Sequence, residues 1–277
     1  MHSLTATFAV LFGLAFGSFL NVCIARLPQG ESVIAPGSRC PRCKTPIRAF
    51  DNLPLASWLL LRGRCRDCGV AIPLRYPLVE AATAALFLLA YLELGLTLRS
   101  TGAAALCFLL VGLAAMDAET LLLPYAFTFP GIALGVLFSG IAGTGGGDGR
   151  WAATQHPHWA AAIFSAASAL EAAALILLIR SIYWLMRHQE GMGLGDAKLM
   201  AMIAAWLGPM ETLLVFFLAV VAAAVFGVGL VFSARIRGVD KSRTPTKVPF
   251  GAFLCIAAVL ALFRGPEILK WYFSFFS

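Results

Sequence analysis

Apolar stretches long enough to cross a lipid bilayer recur from one end of this chain to the other, and no other feature restricts its fold as strongly. A helix needs ~20 consecutive apolar residues to cross the hydrocarbon. Its backbone polar groups must also be bonded within the segment. The pattern predicts eight helices, over 4–25, 78–97, 101–116, 127–143, 158–186, 197–208, 211–232 and 250–264. The third, sixth and eighth are short, and either extend into their neighbours or span only in part. Only 13% of the 277 residues are charged and 60% are hydrophobic, about half the charge of a soluble domain. The expected fold is an all-α polytopic membrane protein of about eight transmembrane helices. No Lys or Arg precedes the first apolar run and no cleavage site follows it, so it reads as a retained helix. Gly13 and Gly17 within it have the spacing that permits close helix packing.

One sizeable polar segment, residues 26–77, separates the first two helices. It is rich in Pro, Arg and Cys, as a small metal-stapled module would be. The chain carries a net charge of +7, concentrated at Arg26–Arg75 and Arg235–Lys247. The positive-inside rule puts both loops in the cytoplasm. Threading the helices from there places 117–126 and 187–196 inside as well, and the glycine-rich 144–157 outside. No aromatic–basic interleaving accompanies the charge, which disfavours nucleic-acid binding.

Within that loop, "CPRC" at Cys40 and Cys43 is followed after 21 residues by "CRDC" at Cys65 and Cys68. Two such knuckles can supply four thiolates to a tetrahedral zinc ion. Arg39, Arg42, Arg64 and Arg66 would offset the negative charge of that centre. Disulfides or free thiols are the alternatives, and a reducing compartment disfavours the former. Four protein ligands leave no open position for water, so a structural zinc is expected rather than a catalytic one. Cys23, Cys107 and Cys255 fall in apolar helices, where packing accounts for them.

A GxGD sequence occurs twice, as Gly193-Leu194-Gly195-Asp196 and as Gly145-Gly146-Gly147-Asp148. Asp148 lies in an outward loop of glycines and polar residues, an ordinary solvated turn. Asp196 instead opens an apolar helix on the inner side, where the helix N-terminus favours an anion. Asp117 closes the third helix on the same side. Either carboxylate alone could be an interfacial cap. As a pair in a poorly hydrated site they would share a proton. One could then activate water against a peptide carbonyl while the other protonates the leaving amine. Gly193 and Gly195 would let an extended peptide approach closely. Glu80 and Lys198, also near the inner ends of helices, are further candidates for substrate contact. Glu171, in the middle of the fifth helix, is expected to be paired or protonated within the bundle. Serine-hydrolase and nucleotide motifs are missing.

The segments "GSFLNVCIARLP" (17–28), "CPRC", "DNLPLASWLLLRGRCRDCG" (51–69), "RYPLVEA" (75–81), Asp117 with "LLLP", "GMGLGDAKLMA" (191–201) and "PFGAFL" (249–254) together resemble the type IV prepilin peptidases, or leader peptidase/N-methyltransferases. The resemblance implies a membrane aspartic peptidase of the bacterial inner membrane. It would cut the basic leader from type IV prepilins or type II secretion pseudopilins at the cytoplasmic face. Asp117 and Asp196 match that family's catalytic aspartates. Residues 1–25 would then be the first helix, 26–77 the four-cysteine module, and 78–277 the peptidase core.

The resemblance also implies methylation of the new N-terminus by S-adenosylmethionine, an activity associated with the four-cysteine loop. That loop is too short for a Rossmann-like cofactor domain. Gly63 and Arg64, just before the second knuckle, are the candidate cofactor contacts. Tyr125 departs from the family, which usually has Asp after "LLLP", and the loop at 144–157 looks like an insertion. A basic leader meeting a basic loop would need relief from Glu31, Asp51, Glu80, Glu119 or anionic lipid. Two rival readings stand beside this one: a peptidase that does not methylate, and a zinc-stapled transporter or assembly factor with no proteolysis.

Overall fold

The computed structural model describes residues 2–143, 157–188, 192–236 and 248–275. Asp148, the insertion-like loop and most of the second basic loop lie outside them. Among the described residues the structure is helical, with two isolated β-bridges and no strand. The helices are α1 (His2–Arg26), α2 (Ala56–Leu60), α3 (Arg75–Leu94), α4 (Leu98–Thr120), α5 (Tyr125–Ala142), α6 (His158–Arg187), α7 (Leu194–Leu207), α8 (Pro209–Ile236) and α9 (Phe250–Phe273).

Seven of these are long and apolar enough to cross a membrane, so the expected count of about eight is not confirmed among the described residues. Besides the five-residue α2, the exception is α7. Its 14 residues reach about 21 Å at 1.5 Å per residue, short of the ~30 Å hydrocarbon core. The third and eighth helices run past the expected ends, to Thr120 and Phe273. The α9 helix continues through Pro266, a residue better tolerated in membrane helices than in soluble ones.

The chain divides into two compact units, Met1–Met116 and Asp117–Ser277. In the first, α1 packs on α3 at backbone distance. A Cβ added at Gly13 would stand 2.5 Å from Ala84 Cα, and one at Gly17 would stand 2.7 Å from Glu80 Cα. The two glycines four residues apart are therefore required by this contact. Arg26, at the end of α1, gathers the loop that follows, donating to the carbonyls of Ser32 (2.9 Å) and Pro36 (2.7 Å).

In the second unit α7 is the central element. Ala197 and every residue from Leu199 to Leu207 are buried. A helix that is apolar on all sides is stable only when other helices surround it, here α5, α6, α8 and α9. Polar side chains seal the packing: Trp206 Nε1 donates to the Gly131 carbonyl at 2.8 Å, and Ser165 Oγ to that of Ala205 at 2.7 Å. Gly135 lies against the Trp206 indole with no room for a methyl group.

Candidate active site and metal centre

Asp117 sits in the last turn of α4, within the helix rather than closing it, and is buried. The head of α9 comes up against it. The Ala252 N–H donates to Asp117 Oδ2 at 2.8 Å, and a Cβ on Gly251 would lie 3.0 Å from the Asp117 carboxyl. Asp117 thus faces the positive end of a 24-residue helix, where a negative charge is stabilised.

Asp196 occupies the third position of α7. Its Oδ2 accepts the Gly193 N–H at 3.1 Å, satisfying an otherwise orphaned donor, while its own N–H donates to the Gly193 carbonyl at 3.2 Å. Cys255 is buried on α9. Leu123 bridges the two neighbourhoods: Cβ positions built on Gly195 and on Gly251 would each come within 3.2 Å of its side chain. The end of α4 and the heads of α5, α7 and α9 therefore meet at one end of this unit. Two carboxylates from segments far apart in sequence are held there by backbone N–H groups.

Other residues at this end were not singled out from the sequence. Gly251 and Ala252 sit inside "PFGAFL", where nothing local marks them as partners of Asp117. Arg180 of α6 donates to the Met192 carbonyl at 2.8 Å and steadies the backbone entering Gly193. Lys198 is engaged rather than free: its ammonium lies 3.5 Å from the centroid of the Tyr125 ring. Glu171 is exposed on α6, which corrects the expectation of a partner within the bundle. Helix periodicity turns that position outward. The buried carboxylate of α8 is Glu211 instead. Replacing Gly251 with Ala should push the Asp117 carboxyl aside and, if that group reacts, cut the rate about a hundredfold. Thermal unfolding of G251A beside its cleavage rate separates displacement from unfolding.

In the first unit the four cysteines of the loop converge. Their sulfurs all lie within 4.8 Å of one another, and those of Cys40 and Cys68 are 3.8 Å apart. A tetrahedral zinc with Zn–S bonds of ~2.3 Å would separate its sulfurs by about 3.8 Å, so the donor set fits that ion. The two knuckles have the same backbone form. Cys40 N–H bonds the Thr45 carbonyl and Lys44 N–H that of Cys40, just as Cys65 N–H bonds Val70 and Gly69 N–H bonds Cys65. Lys44 and Gly69, at equivalent places, both take positive φ (61° and 68°). Hydrogen bonds from Thr45 pull the Cys43 thiol down to about 6. Those from the backbone of Cys68 and Asp67 lower Cys65. Both shifts favour the thiolate that a metal needs, whereas Cys68, against a lowering hydrogen bond from Val70, is pushed up to about 11 by burial and its bonds to the neighbouring cysteines. Beside the cluster, Arg66 makes a forked ion pair with Asp51, Nε and Nη2 at 2.9 and 2.6 Å, and holds its carboxyl below the usual range.

Gly63 and Glu80 find partners within this first unit. Gly63 has φ +65°, and a Cβ there would stand 2.9 Å from the Trp58 ring. Packing and turn geometry together account for the glycine. Arg64 is exposed and pairs its backbone with Ala71. Glu80 is buried and accepts the Leu55 N–H at 2.8 Å. Leu55 itself has φ +58°, a conformation unfavourable for a branched residue.

A polytopic helical protein with one buried and one half-buried carboxylate at converging helix ends and a separate four-thiol centre is the class that fold and site define. Residues 11–94 match the bacterial peptidase A24 N-terminal domain, and residues 104–228 match the type IV leader peptidase family. Prepilin leader peptidase/N-methyltransferases cover nearly the whole chain. The one from Aeromonas salmonicida (strain A449) is 36% identical over 95% of this chain and 92% of its own length. That from Legionella pneumophila is 34% identical over 96% and 93%. The Klebsiella pneumoniae protein is 41% identical over 74% and 86%. The chain belongs to the type IV leader peptidase family. No solved structure matches it significantly.

Proposed function

We propose that this protein is a prepilin peptidase of the bacterial inner membrane, cutting the basic leader from type IV prepilins or pseudopilins with Asp117 and Asp196. The observation that carries the reading is the meeting of the helix ends that bear these two carboxylates at one end of the second unit, each carboxylate bonded to a backbone N–H. Asp117, at the head of α9, takes the proton from a water that attacks the scissile carbonyl. Asp196, protonated, hydrogen-bonds the carbonyl oxygen and delivers its proton to the departing amine. Gly193, exposed at the head of α7, leaves space for the peptide backbone, whereas the Leu123 side chain occupies the space beside Gly195. Charge in the loops supports an inward-facing site, because the four-cysteine loop is basic and the positive-inside rule puts it in the cytoplasm.

The four-cysteine module is the structural zinc centre of the enzyme, holding the loop between α1 and α3 in one shape. For Glu80 an anchoring role replaces the expected substrate contact, since its carboxylate fixes the strained Leu55 to α3. Methylation of the new N-terminus by S-adenosylmethionine is proposed from the names of the relatives. Gly63, with Trp58 packed against it, and the exposed Arg64 are the proposed contacts of that cofactor.

Incubating purified protein with a prepilin, with and without S-adenosylmethionine, tests both activities by mass spectrometry. Cleavage is expected in both cases, with a gain of one methyl mass only when the cofactor is present. Cleavage without that gain would leave a peptidase alone, and an intact prepilin would reject the reading.

A further inference from the structure

We propose that Tyr125 and Lys198 form a clasp that sets the position of Asp196, with Tyr125 a positioning residue acting through its ring. The proposal rests on the reading of Asp117 and Asp196 as the reacting pair. Lys198 Nζ lies 3.5 Å from the centroid of the Tyr125 ring, close enough for the ring face to hold the cation directly. That ring is itself braced by stacking on Phe129, with centroids 5.6 Å apart and planes at 9°.

The chain arrangement gives the contact its consequence. Lys198 follows Asp196 by two residues on the same rigid helix. Tyr125 opens α5 two residues after Leu123, whose side chain touches the glycines at the heads of α7 and α9. Leu121, just before, donates its N–H to the Asp117 carbonyl at 2.9 Å. One short segment leaving Asp117 thus grips the head of α7 twice, through Leu123 on Gly195 and through Tyr125 on Lys198. The glycines preceding Asp196 supply little stiffness of their own. An aromatic ring restrains the lysine without adding a third carboxylate that would compete for the pair's proton.

The test uses full-length protein and steady-state cleavage of a prepilin. Y125A, Y125L and K198M are each expected to lower kcat roughly tenfold or more, because small misplacements of a reacting group are costly, with KM within about twofold. Y125F keeps the ring and retains most of the rate. The Y125A/K198M double variant is no slower than the worse single one, as expected when two residues serve one contact. Y125L keeps apolar bulk against Phe129, so it carries the test if Y125A fails to fold. Equal damage from Y125F and Y125L, losses that multiply in the double variant, or an effect on KM alone would overturn the clasp. If D117N and D196N cleave normally, the reading of the pair itself fails. If those two are inactive while Y125L matches the wild type, only the clasp fails.

Discussion

Asp117→Asn and Asp196→Asn should each abolish prepilin cleavage, with losses of at least about a thousandfold, while both proteins still insert and extract normally. Asn is nearly isosteric with Asp, so packing around α7 and α9 is kept. At position 117 the side-chain oxygen can still accept the Ala252 N–H that Oδ2 accepts now. At position 196 the Gly193 N–H can likewise be capped. What disappears is the ability to take up and release a proton, the one property the proposed chemistry needs from both positions. The double variant should be no worse than either single one, because the pair acts as a unit. Normal processing by either single variant would remove that residue from the mechanism.

Loss of the metal should produce the second large effect, confined to the loop module. Purified protein should contain one zinc per chain. Cys40→Ser or Cys65→Ser should release it, and the loop should become sensitive to protease. Structural zinc contributes on the order of 10 kcal/mol in small metal-folded peptides. The loop has few large buried apolar side chains of its own: Cys40 is its buried sulfur, while Phe50, Leu53, Leu59 and Leu60 are exposed. The helices of the second unit have a core independent of the cysteines, so their thermal unfolding should change little. A protein purified without stoichiometric metal, or a serine variant whose loop resists protease as well as the wild type, would contradict the zinc assignment.

Helix existence and the four-cysteine centre were legible because their signals are local. Apolar runs announce membrane helices, and two knuckles at a short separation announce a thiol cluster that the fold then brings within 4.8 Å. Helix ends were less legible. Asp117 reads as a terminator, yet α4 runs three residues further because the carboxylate is satisfied by another helix. The partners of the site residues were not legible at all. Gly251 looks like any membrane glycine until a Cβ there is seen to strike Asp117. Tyr125 looks like a missing carboxylate until Lys198 is found over its ring.

By itself, then, the sequence determined the class of fold, the thiol donor set and the two candidate carboxylates, since composition and spacing are properties of neighbours along the chain. Only the tertiary structure decided that α7 is an encased central helix, that α9 caps Asp117, and that Lys198 is held by an aromatic ring. Those facts depend on which helices become neighbours. In a chain where nearly every helix face is apolar, the sequence carries little trace of that choice.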